Sequence, residues 1–182
     1  MKGIKAQIWI ETVLYTLIGL GLIGLVLAFI TPKINEEKAS ISIDQSIQSL
    51  NIIDQKITEV IEEGPDNRRI IELGVKKGEF YIDSAENKIK FLISDLEKPY
   101  SEVGTEISLG RIKILSQQKS GKYEVEVSLD YRDRANIVYN GQETENKLTP
   151  SPTPYQLSVE NKGNDPTDSS PYVVIDLNVV SS

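Results

Sequence analysis

The chain has 182 residues, 39% of them hydrophobic, enough apolar material for one domain with an appendage. It contains neither cysteine nor histidine, which excludes disulfides, thiolate or imidazole metal sites, and histidine-based catalysis. A net charge of −7 argues against nucleic acid as a partner, because phosphate binding needs a basic surface.

Charge is distributed unevenly. From Ile8 to Ile30 the only charged residue is Glu11, whereas everything after Pro32 is polar and strongly charged. These 23 residues suffice to cross about 30 Å of hydrocarbon at roughly 1.5 Å per residue. Lys2 and Lys5 precede the run, and Lys33, Glu36, Glu37 and Lys38 after it are balanced. The positive-inside bias therefore keeps the amino end cytoplasmic and sends the rest outward. A plain signal anchor meets this description. A cleaved secretory signal does not, because the run is too long and no Ala-x-Ala site closes it.

Glu11 departs from the plain anchor. A carboxylate inside an apolar span costs a few kcal/mol and marks a partner or a function, unless it lies shallow enough to reach the headgroups. The order is Met1-Lys2-Gly3-Ile4-Lys5-Ala6, then Gln7-Ile8-Trp9-Ile10-Glu11, then unbroken apolar sequence. This resembles the class III signal of archaeal type IV pilins and archaellins. In that family a short basic leader ends in a small residue, a membrane-embedded prepilin peptidase cuts there, commonly before Gln, and Glu is fifth in the mature chain. The resemblance covers about residues 2–32 and implies a leader over 1–6, cleavage between Ala6 and Gln7, and Glu11 at the fifth mature position. It further implies helical filaments of identical copies, with Gln7 and Glu11 meeting across the subunit contact, and an assembly ATPase and platform protein as partners. Cleavage would leave an ammonium at Gln7 one turn from the Glu11 carboxylate. In low dielectric such opposite charges attract strongly.

Gly19-Leu20-Gly21-Leu22-Ile23-Gly24 matches G-x-G-x-x-G, but it lies within the apolar span rather than after a strand, so it is not read as a dinucleotide site. Gly19, Gly21, Gly24 and Ala28 instead permit close helix approach in a membrane. Thr31-Pro32 ends the run, and Pro32 favours a kink. Beyond it Ile34, Ile41, Ile47, Leu50, Ile53 (or Ile52), Ile57, Val60 and Ile61 recur at mainly helical steps until Gly64-Pro65. A helix over 7–63, about 85 Å long, is expected, transmembrane over 8–30 and then amphipathic, packing on a head.

From residue 64 to 182 the period changes to two. Ile89, Phe91 and Ile93 alternate with polar neighbours, as do Ile112 and Ile114, then Tyr123 to Tyr131, Tyr155 to Val159, and Val173 to Val179. Seven or eight antiparallel strands in a β-sandwich-like head follow, so the fold class is α+β. Residues 140–154, ending in Pro150-Ser151-Pro152-Thr153-Pro154, read as an exposed loop. So does 161–171, whose Asn164, Asp165 and Asp168 suit a turn or a calcium ion. Asp130/Asp133 and Glu143/Glu145 are paired carboxylates, but no nucleophile–base set accompanies them, and Asp130-Tyr131-Arg132-Asp133-Arg134 reads as surface ion pairs.

The sequence thus leads to a non-enzymatic, cofactor-free pilin-type subunit, major or minor, held in the membrane as a precursor and then displayed at the cell surface. The alternative is a surface β-domain on a permanent single-pass anchor that binds an envelope partner. A pseudopilin of a secretion or uptake machine shares the cleavage.

Overall fold

The structure, a computed structural model, describes residues 3–164 and 172–181. The chain divides into two compact units, Met1–Ala39 and Ser40–Ser182. One helix, α1 (Gly3–Glu63), contributes to both. Ten strands follow: β1 (Arg68–Leu73), β2 (Glu79–Asp83), β3 (Lys88–Leu96), β4 (Glu106–Leu109), β5 (Ile112–Lys119), β6 (Lys122–Asp130), β7 (Ala135–Tyr139), β8 (Glu145–Leu148), β9 (Tyr155–Asn164) and β10 (Val173–Ser181).

They form a six-stranded sheet, β4-β5-β6-β3-β2-β8, with every pairing antiparallel, and a four-stranded sheet, β1-β9-β10-β7. The α+β class holds. The expectation of an antiparallel head needs one correction, since β10 pairs with β7 in parallel. Two intervening strands supply the long connection that a parallel pair requires. Alternation of side chains reports which face a residue takes, not which direction its neighbour runs.

Alternation places the core correctly. Ile89, Phe91 and Ile93 of β3 are buried, with Phe91 opposite Phe80 on one side and Val127 on the other. The Phe80 and Phe91 rings meet at 4.8 Å in a tilted arrangement, a favourable geometry for two aromatic quadrupoles. Gly78 must be glycine: its φ is +80°, and a Cβ there would lie 2.5 Å from the Leu92 carbonyl oxygen. Strand β8 falls inside residues 140–154, which read as a loop. It adds to the β2 edge through backbone pairing, from Phe80↔Leu148 to Asp83↔Glu145.

In the second unit α1 buries Ile43, Ile47, Leu50, Ile53, Ile57 and Val60. This differs from the stripe read in the sequence: Ile34, Ile41 and Ile52 are 45%, 53% and 49% exposed. Steps of 7 and 11 residues bring those three back to one line, roughly opposite the buried face. At the carboxyl end Gly64, with φ +92°, takes the left-handed position that stops a helix. Asn161, fully buried in β9, donates through Nδ2 to the Val60 carbonyl at 2.8 Å and accepts the Gly163 amide through Oδ1. Its side chain is therefore committed to the helix end rather than to a cation. Residues 161–164, including Asn164, belong to β9 rather than to a loop, and the remainder of the suspected calcium segment, 165–171, lies outside the described residues.

Truncating Leu50 to Ala should cost ~2–5 kcal/mol through lost burial and a cavity. Ile52→Ala should change stability by no more than about 0.5 kcal/mol. Denaturant midpoints of the detergent-solubilised chain, followed by tyrosine circular dichroism, compare the two, and equal losses would contradict the assigned helix face.

Candidate functional site

All the residues singled out in the amino-terminal segment (Ala6, Gln7, Glu11, Gly19, Gly21, Gly24, Ala28 and Pro32) lie on α1. The Ala6–Gln7 bond falls within its first turns. From Trp9 to Ile30 every large apolar side chain is exposed, Trp9 at 69%, Tyr15 at 72% and Phe29 at 73% among them. A helix that is apolar on all sides and buried on none requires an apolar surrounding from outside the chain. Among the described residues this is the one helix long and apolar enough to cross a membrane.

Glu11 lies within this surface and is exposed. On its carboxyl side Thr16 donates its hydroxyl to the Thr12 carbonyl at 2.8 Å, satisfying one polar group internally. A helix turns about 100° per residue, so Gly21, Gly24 and Ala28 share one face and Gly19 lies on the other side. A Cβ added at Gly19, Gly21 or Gly24 would meet no atom within 4 Å. Each glycine costs the helix about 1 kcal/mol relative to alanine, and no contact within the chain requires it. Helix α1 continues through Pro32, whose missing amide deprives the Ala28 carbonyl of its usual donor. One residue earlier, the Thr31 hydroxyl bonds the Leu27 carbonyl at 2.7 Å.

The head holds a second polar cluster, and here the sequence reading was incomplete. Asp130 and Arg132 do form a surface pair: the Arg132 Nε–H reaches both carboxylate oxygens at 3.0 Å, and the guanidinium holds the Asp130 carboxyl below its ordinary range. Tyr131, between them, and Arg134, after them, turn toward α1. Tyr131 is fully buried and donates its hydroxyl to Asp54 of α1 at 3.0 Å. Arg134 bonds Thr58 Oγ1 at 2.7 Å and sits 3.5 Å from Asp54. Arg111 reaches Asp54 at 3.6 Å and places its guanidinium 5.5 Å from the Tyr131 ring centre. One helix carboxylate thus gathers a phenol and two guanidinium groups. Its partners are 57 to 80 residues away, a distance at which no local sequence signal operates.

A shallow groove beside this cluster is lined by Ser108, Gly110, Arg111, Lys113, Asp130, Arg132 and Asp133. Four of its five charged residues are engaged: Lys113 pairs with Glu106 at 3.1 Å, Arg132 with Asp130, and Arg111 with Asp54. Of the other carboxylate pair, Glu145 lies 3.8 Å from Lys90 in an ion-pair ladder across β3 and β8. Comparison with protein-family models, with curated proteins and with solved structures found no match to this chain.

Burial first, and then the Asp54 carboxylate, push the Tyr131 phenol well above its ordinary pKa of 10.0. A phenol raised in the folded state ionises first in the unfolded chain, so its stabilisation is present below about pH 10 and is lost as pH rises beyond that. Tyr131→Phe should cost about 1 kcal/mol near neutrality. It should also reduce the loss of stability between about pH 8 and about pH 11, with the raised Tyr81 and Tyr100 phenols and the raised Lys147 and Lys162 ammonium groups contributing to what remains. Unfolding midpoints across that range test both; an unchanged alkaline slope would remove the role given to Tyr131.

Proposed function

We propose that this chain is a structural subunit, major or minor, of a type IV pilus-like surface filament. It is inserted as a precursor with its amino end in the cytoplasm, cleaved between Ala6 and Gln7 by a prepilin peptidase, and polymerised through its apolar helix by an assembly ATPase and platform protein. The observation that carries this reading is the exposed apolar surface of α1 from Trp9 to Ile30, preceded by the Ala6–Gln7 junction with Glu11 five places on. Lipid satisfies that surface before assembly. Neighbouring copies satisfy it afterwards.

The charge on Glu11 explains why processing precedes assembly. A carboxylate in hydrocarbon is costly, and an ammonium brought close in low dielectric offsets much of that cost. Peptide-bond cleavage creates such an ammonium at Gln7. The glycines agree with the same reading: Gly21, Gly24 and Ala28 lower one face of the helix so that another can approach closely. In the head, ion pairs that occupy most of the groove charges, and a carboxylate cluster directed at the helix, support a structural rather than a catalytic role.

Amino-terminal sequencing of protein from native filaments should begin at Gln7. An intact Met1 would instead identify a permanently tethered surface domain. Glu11→Ala should leave insertion and cleavage near wild-type levels while abolishing filaments visible by negative-stain electron microscopy. Normal filaments from that variant would remove Glu11 from the mechanism.

A further inference from the structure

Tyr15 lies one helical turn beyond Glu11 and, at 72% exposure, presents its ring to whatever surrounds α1. Residues four apart form a continuous ridge on a helix, advancing about 40° per step. Gln7, Glu11, Tyr15 and Gly19 are four successive positions of one ridge. Side chains on a helix lean toward its amino end, so the Tyr15 ring covers the turn that carries Glu11. The Cβ atoms of such a pair lie about 5–6 Å apart.

Gly19 completes the arrangement. It is on the opposite side from Gly21, Gly24 and Ala28, so it does not belong to their face. A Cβ there would meet nothing within 4 Å. On the ridge, Gly19 leaves a notch directly after Tyr15, where a second backbone can come close to the ring. Of the aromatic residues in the span, Trp9, Tyr15 and Phe29, only Tyr15 shares this ridge with Glu11.

We infer that Tyr15 is the second half of the cation site that Glu11 begins: the ring face receives the Gln7 ammonium of a second copy, beside the carboxylate. This rests on the proposed filament reading, which supplies the occupant. Charge complementarity selects it, since the pair of an anion and a π-face accepts a compact cation and rejects an apolar side chain. A ring quadrupole attracts an ammonium most strongly when water is excluded, as it is between helices in hydrocarbon. The carboxylate neutralises the charge, and the ring fixes where along the neighbouring helix the cation stops. Tyr15 is thus a positioning residue for the register between copies.

The full-length precursor carrying Tyr15→Phe, Tyr15→Leu or Glu11→Ala is expressed in a strain lacking the wild-type gene. Processing is read by amino-terminal sequencing, and assembly by the fraction of processed subunit in sheared, sedimented filaments. Leucine keeps the apolar volume and a high helix propensity, so a role in lipid packing alone would survive it. Phenylalanine keeps the ring. All variants should be processed normally. Tyr15→Leu should lower the filament fraction by about tenfold or more, and Tyr15→Phe by no more than about threefold. Wild-type filament yield from Tyr15→Leu would overturn the assignment while leaving the filament reading intact, provided that Glu11→Ala still fails to assemble. An equal loss with Phe and Leu would also overturn it, because the ring would then not be what acts. A wild-type chain that keeps Met1 would overturn both readings together.

Discussion

The chain does not bury its own most apolar segment. Between Trp9 and Ile30 it exposes tryptophan, phenylalanine, leucine, isoleucine and valine on every side of α1. Each large side chain left in water forfeits roughly 1.5–3 kcal/mol, so this surface dictates an environment before any specific contact is considered. The remaining features of the segment have meaning only inside that environment. Glu11 is unremarkable in water and costly in hydrocarbon. The glycines weaken an isolated helix and become useful when another helix lies against it.

The same helix obeys a different rule in the second unit. There its apolar residues return every three or four positions, from Ile43 to Val60, and the opposite side is left to glutamine, asparagine and isolated isoleucines. Docking is fixed by polar contacts at defined points along its length. Tyr100 reaches Asp44, Tyr131 with Arg111 and Arg134 gathers on Asp54, and Asn161 caps the Val60 carbonyl. The Asp54 cluster is the most demanding of these. A buried phenol without its acceptor would carry an unsatisfied donor, and a helix slipped by one residue would move Asp54 about 100° away from it. Apolar burial holds the helix on the sheets, while these polar groups choose its rotation and register.

Much of this was legible in the sequence, and the failures share a cause. Strands β3, β5 and β6 were found because each alternates strongly, and Gly64-Pro65 marked the helix end because glycine and proline act locally. Strands β1, β2, β4, β7 and β8, four to six residues each, escaped because so short a run carries little alternation, and β4 and β8 are moreover edges held by backbone pairing rather than by a pattern of side chains. Ile52 and Ile53 cannot be separated by periodicity alone; the face is decided by what packs on it, and only Ile53 is buried. Tyr131 was expected to point inward and does, yet its partner on α1 is 77 residues away, beyond any local signal. At the amino end Glu11 was conspicuous as a charge in an apolar run. Tyr15 was not, because an aromatic residue counts as apolar until its distance from the carboxylate is considered.

That distance separates two ways in which an acid can be used in a span. A carboxylate acting only by charge attracts a cation along a broad, shallow minimum, because Coulomb energy falls slowly with distance when the dielectric is low. Neutralisation would then be secured, but the relative height of two helices would not. Position requires an interaction that decays faster, and a ring face one turn away provides it, since the attraction is confined to within about 6 Å of the ring centre. In the proposed filament, Gly19 would let the approaching helix come near enough for that short range to matter. In that filament, ridge geometry would convert a general preference for a counter-ion into a preferred offset between identical chains, and a repeated offset is what a helical assembly requires.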